Sequence, residues 1–141
     1  MRAPAAALLG SMALVGCGTA SPADLPTLQL PFTSSASAPV SINGVQGVQV
    51  GAQGTFIFQL LNAGNQALVV QSISYQGDPE IGLDAAPLNP LPATVDFNHW
   101  LSVAVTCSPL AAQTYSGTVT IVSNAANAPT ALVYLDCVGT L

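Results

Sequence analysis

The alternation across residues 115–121 constrains this chain more than any other feature. Tyr115, Gly117, Val119 and Ile121 fall on one side and Ser116, Thr118 and Thr120 on the other, an unbroken period of two. A helix would scatter those apolar side chains around its axis, whereas a half-buried strand gathers them on one face. Similar short runs fill the chain beyond Pro39. Phe56, Phe58 and Leu60 alternate with Thr55, Ile57 and Gln59 up to Asn62-Ala63-Gly64-Asn65, a turn signature. Residues 67–75, 101–107 and 131–138 read as further strands, 40–50 as a weak one and 80–83 as a short one. No helical pattern competes, and no internal repeat is visible.

About seven strands in about 100 residues, with turns every eight to twelve, predict an all-β fold, an immunoglobulin-like sandwich of two packed antiparallel sheets. An up-and-down barrel is the runner-up. A length of 141 residues suits one domain with a packed core. Charge narrows the partners. Only 5% of residues are charged, and beyond Arg2 there is no Lys or Arg at all, while Asp24, Asp78, Glu80, Asp84, Asp96 and Asp136 remain. A chain without cations has nothing to neutralise phosphate, so nucleic acid is excluded as an expected partner.

Residues 1–16 combine a basic start with a short apolar run, a secretory signal pattern too short to span a bilayer. The run ends in Leu14-Val15-Gly16-Cys17, which resembles the bacterial lipoprotein box. That resemblance implies cleavage before Cys17, a diacylglycerol on its thiol and acylation of the new amino terminus. Two or three acyl chains anchor a protein durably where one would be marginal. Gly18 after the cysteine resembles the outer-membrane-directed class, which implies a lipid-anchored protein of the bacterial cell envelope, in the outer membrane. From Gly18 to Pro39, Pro22, Pro26, Pro31 and Pro39 interrupt a Ser/Ala/Thr-rich stretch, so residues 17–39 read as an acylated cysteine and a flexible tether, and 40–141 as the sandwich. Within the tether, Leu25 to Phe32 alternates and could dock as an edge strand.

The stretch from Val103 to Asn124, with Cys107-Ser108-Pro109 closing one strand and Tyr115-Ser116-Gly117-Thr118-Val119-Thr120-Ile121 forming the next, closely resembles the Hydin-like or ASH group of Ig-like domains, including the choice-of-anchor D repeats. Val50-Gly51, Leu61-Asn62-Ala63-Gly64 and Leu68-Val69-Val70 with Ile73 agree with it. Two departures stand out: Cys107 occupies a position that is usually Phe, and Gln113 one that is usually Gly, so the loop at 108–114 is expected to differ in shape. The resemblance implies a spacer or protein-binding module without catalytic residues or cofactor.

With Cys17 assigned to lipid, Cys107 and Cys137 are left, an even number in an exported chain. Cys107 shares strand parity with Val103 and Val105, and Cys137 with Val133 and Leu135. In the Ig topology both would lie near one end of the sandwich on opposite sheets, where the missing Phe leaves room for a disulfide. Two buried thiols are the alternative. A redox role is disfavoured, since there is no Cys-x-x-Cys and no nearby cation.

Other chemistry is sparse. His99, the single histidine, has Asp96 as its nearest acid in sequence, yet no nucleophile motif accompanies it, and a plain loop histidine beside Trp100 is the expected reading. Asp78, Glu80 and Asp84 sit within seven residues around Pro79 and Gly82, a weak candidate calcium turn that matches no EF-hand spacing. Trp100 and Tyr134 could form an exposed aromatic patch for a sugar or protein, although both also fit a sandwich core, the favoured placement. The expected function is therefore a membrane-anchored, non-catalytic binding or spacer domain with a protein partner in the envelope, reached by strand addition to an exposed edge. A calcium- or glycan-binding adhesive module is the alternative.

Overall fold

The computed structural model describes residues 24–31, 39–84 and 90–141; residues 1–16, read above as an export signal, and Cys17 lie outside them. Nine strands are found there: β1 (Leu28–Gln29), β2 (Val40–Gln49), β3 (Gly54–Asn62), β4 (Leu68–Gly77), β5 (Ile81–Asp84), β6 (Ala93–Val95), β7 (Trp100–Cys107), β8 (Thr114–Ser123) and β9 (Thr130–Thr140). They form a four-stranded sheet in the order β1-β3-β7-β5 and a five-stranded sheet in the order β2-β9-β8-β4-β6. Seven of these strands coincide with the runs read from periodicity. The core lies between the sheets. Leu60, Val103 and Val105 fill it from one side and Val70, Val119, Ile121 and Val133 from the other, each almost wholly buried. Those are the alternate positions of their strands, as a pleated backbone requires.

Two features depart from the sequence expectation. The sandwich is not wholly antiparallel, because β2 runs parallel to β9, from Val40 opposite Val133 to Gln49 opposite Thr140. The register slips around Val45, and there the Asp136 carboxylate accepts hydrogen bonds from the Gly44 backbone N–H at 2.9 Å and the Gln46 side chain at 3.1 Å. One carboxylate thus satisfies the Gly44 N–H that the bulge removes from the ladder and holds the Gln46 side chain beside it. The second feature is the two extra strands. The three-residue β6 pairs with Leu68–Val70, in a stretch whose prolines obscure any alternation.

The other strand is β1, which pairs with Leu61 and Asn62 of β3 inside the stretch read as tether, where the alternation of Leu25 to Phe32 allows an edge strand. Leu28 and Leu30 are buried, and two such aliphatic side chains contribute roughly 3–6 kcal/mol. Asn127, from the β8–β9 turn, clamps the strand: its amide oxygen accepts from Leu28 N–H at 2.9 Å and its amide nitrogen donates to Leu28 O at 2.8 Å. Residues 28–30 therefore belong to the packed sandwich.

Candidate binding surface

The two ends of the sandwich are built differently. At one end the chain enters, and the β3–β4, β6–β7 and β8–β9 turns gather around it. Pro26 O accepts from Ala126 N–H and Thr27 O from Ala63 N–H, both at 2.9 Å, while Asn65 donates to the Asp24 carboxylate at 2.9 Å. Asn62 organises these turns. Wholly buried, it donates through its amide to Gln66 O at 2.8 Å and Val95 O at 2.9 Å, and its oxygen accepts from Gly64 N–H at 3.0 Å. Its backbone bonds Asn98 and His99 in the β6–β7 turn. The Asn-x-Gly turn was visible in sequence; the role of its amide was not.

At the far end a disulfide joins Cys107 on β7 to Cys137 on β9, bridging the two sheets with a Cα–Cα distance of 6.4 Å. Both residues are buried. Beside it the Tyr115 hydroxyl accepts from the N–H groups of Leu110 at 3.2 Å and Ala111 at 2.9 Å, so one core side chain pins the β7–β8 loop. Gln113, the unusual residue in that loop, keeps an ordinary structural place: its N–H donates to Ala111 O and its carbonyl accepts from Gly139 N–H.

The Asp78 carboxylate of the β4–β5 turn is spent on backbone. The Asp78 carboxylate accepts from Ser116 N–H at 2.7 Å, and the Tyr75 hydroxyl donates to Asp78 O at 2.9 Å. Burial first, then the charges of Asp78 and Glu80, push the Tyr75 phenol above its ordinary range. Tyr75 ionisation therefore opposes folding only as pH rises past the normal tyrosine value. The ring also lies against Gly117, where no Cβ would fit. Asp84 lies apart from this turn, in β5 opposite Ala104. Among the described residues no three His, Cys, Asp or Glu side chains come together, so the candidate calcium turn is not assembled as a ligand cage. His99 is exposed, and its Nδ1 lies 3.0 Å from Phe97 O, a carbonyl rather than a nucleophile.

The aromatic pair corrects the sequence reading. Trp100 is 61% exposed and Tyr134 43% exposed, so neither is core. They stand in different sheets, on strands whose flanking Leu101, Val133 and Leu135 point inward, and hence on opposite outer faces rather than in one patch. Strand parity carried this signal. If Val103 and Val105 point in with Cys107, then Trp100 points out with Ser102, and the aromatic ring's general preference for burial does not override the pleat.

A groove of about 570 Å³ runs beside Trp100 along the outer edge of β3, lined by Leu30, Pro31, Phe56, Ile57, Phe58 and Leu61 among others. Its position follows from the shortness of β1. Because β1 covers only Leu61 and Asn62, the β3 edge from Gly54 to Gln59 has no strand partner among the described residues. Ile57, 56% exposed, stands on the outer face above it. An uncharged, β-branched and aromatic strand with an open edge is chemically suited to pairing with an extended segment.

No protein-family model matches the sequence, and no curated protein matches it. Solved structures do. An ASH/PapD-like domain of human CEP192 is 15% identical with a TM-score of 0.57, the match covering 95% of this chain and 98% of that one. A protein of unknown function from Porphyromonas gingivalis W83 is 13% identical with a TM-score of 0.59, over 87% of this chain and 51% of that one. The CARDB domain of PF1109 from Pyrococcus furiosus is 13% identical with a TM-score of 0.50, over 84% and 98%. At such identities the likeness speaks for the fold alone, and the fold is an immunoglobulin-like β-sandwich similar to the ASH/PapD-like domain.

Proposed function

We propose that this chain is a lipid-anchored protein of the bacterial cell envelope whose Ig-like domain binds or spaces another protein and catalyses nothing. The observation that carries the binding half is the β3 edge from Gly54 to Gln59, which has no strand partner among the described residues and offers backbone donors and acceptors beside an apolar groove. The anchoring half is supported by Leu14-Val15-Gly16-Cys17 at the end of an export signal. The non-catalytic reading is supported by His99, whose ring bonds a carbonyl, and by the likeness in fold to the ASH/PapD-like domain. The disulfide bridging the sheets suits a compartment outside the reducing cytoplasm.

Labelling cells with a palmitate analogue tests the anchor: wild type takes up label and Cys17→Ser does not, while equal labelling overturns it. For the groove, a photocrosslinker at position 57 is compared in the intact envelope with one at 134 on the opposite face. Crosslinking confined to 57 supports strand addition at β3, and equal crosslinking from both faces overturns it.

A further inference from the structure

Resting on the lipid anchor proposed above, we propose that the end of the sandwich where the chain enters sits on the bilayer, with Phe97 and Trp100 in the headgroup layer of zwitterionic lipid. The length of the connection argues for this end. Asp24, Pro26 and Thr27 are hydrogen-bonded to turns at the entering end. From Asp24 back to Cys17 the chain spans seven Cα steps, at most about 25 Å however extended. The eleven-residue β9 alone measures about 36 Å, so an anchored Cys17 keeps the entering end toward the lipid.

The surface at that end has the matching chemistry. Phe97 is 57% exposed and Trp100 61%; Phe97 lies in the β6–β7 turn held by Asn62 and Trp100 directly follows it. Tryptophan, with an apolar body and one N–H donor, favours the boundary between headgroups and acyl chains. Charge selects the lipid: Asp96 lies beside Phe97, and the exported chain has no Lys or Arg to seek an anionic surface, so a zwitterionic one is the partner.

The arrangement leaves the proposed protein groove usable. Trp100 pairs with Leu61, and Ile57 lies four positions further along β3, about 13 Å from the lipid-facing end. The lower lip of the groove rests in the interface while its upper part stays clear.

Trp100 is the single tryptophan, so its fluorescence reports this contact directly. The acylated full-length protein, purified from membranes, is reconstituted into phosphatidylethanolamine and phosphatidylcholine vesicles with and without bromine near the headgroup end of the acyl chains. The expected result is loss of Trp100 emission in the brominated vesicles, with little loss when the reporter is moved to the other outer face by combining Trp100→Phe with Tyr134→Trp. An acylated, vesicle-bound chain whose Trp100 is quenched no more than the reporter at 134 overturns the orientation alone, including the case where a protein covers Phe97 and Trp100 instead. An intact mass without acyl groups overturns the orientation and the anchor together.

Discussion

The two ends of this sandwich solve one problem by different means. Where strands turn, backbone groups leave the ladder and the gap between sheets must be closed. The far end is closed covalently, by Cys107–Cys137 across the sheets, with the Tyr115 hydroxyl holding the adjacent loop. The entering end is closed by side-chain amides: Asn62 binds Gln66 O, Val95 O and Gly64 N–H from inside, Asn127 clamps β1 against the β8–β9 turn, and Asn124 bonds Val69 N–H and Ala67 O. The covalent end leaves few demands on neighbouring side chains. The amide end leaves aromatic surface exposed at Phe97 and Trp100, which is where a second surface can dock. A buried amide needs each of its partners at hydrogen-bonding distance, so the end proposed for contact is also the one that depends on several bonds at once.

The largest expected effect breaks the far end. Replacing both Cys107 and Cys137 by Ala opens a link spanning 30 residues, and the chain-entropy estimate for that loop is about 3.5 kcal/mol of stability. Urea unfolding of the oxidised protein and of the double variant measures it; a difference below about 1 kcal/mol would show that the sheets hold that end without the cross-link. Asn62→Ala breaks the other end. It strands Gln66 O, Val95 O and Gly64 N–H, and roughly 2–3 kcal/mol should be lost. Asn62→Asp sharpens the cause, because it retains the acceptor for Gly64 and loses both donated bonds. If Asn62→Ala unfolds at the same urea concentration as wild type, the amide is not the closure described here. The smallest effect comes from Tyr115→Phe, which keeps the ring and removes one hydroxyl, at a cost of about 1 kcal/mol. Faster hydrogen exchange at the Leu110 and Ala111 amides, with exchange at Asn62 unchanged, would confine that role to the far end.

Much of the fold was legible because strand periodicity is a local signal. The inward parity of Val103, Val105 and Cys107, and of Val133, Leu135 and Cys137, is written within each strand, whereas their meeting at one end on opposite sheets was implied only by the resemblance to an Ig topology. Less legible were the pieces whose partners lie far along the chain. Leu28 pairs with Asn62 and is clamped by Asn127, and nothing in a two-residue strand announces either contact. Likewise Val40–Gln49 shows only weak alternation because its partner, β9, lies some ninety residues away and the register slips twice. The candidate surface was half visible: Trp100 and Tyr134 were singled out, but as one patch or as core, when the sheets hold them on opposite faces.

By itself, the sequence determined the all-β class, seven of the strands, which side chains share a face, and the even pair of inward cysteines, because a pleated backbone enforces a period of two wherever it runs. Only the tertiary structure decided that Trp100 and Tyr134 stand on opposite outer faces, that β2 runs parallel to β9, and that β1 pairs with no more of β3 than Leu61 and Asn62, leaving Gly54 to Gln59 without a strand partner among the described residues. Those outcomes depend on how much of one strand another can cover, and coverage is a property of segments brought together across the whole chain rather than of any segment alone.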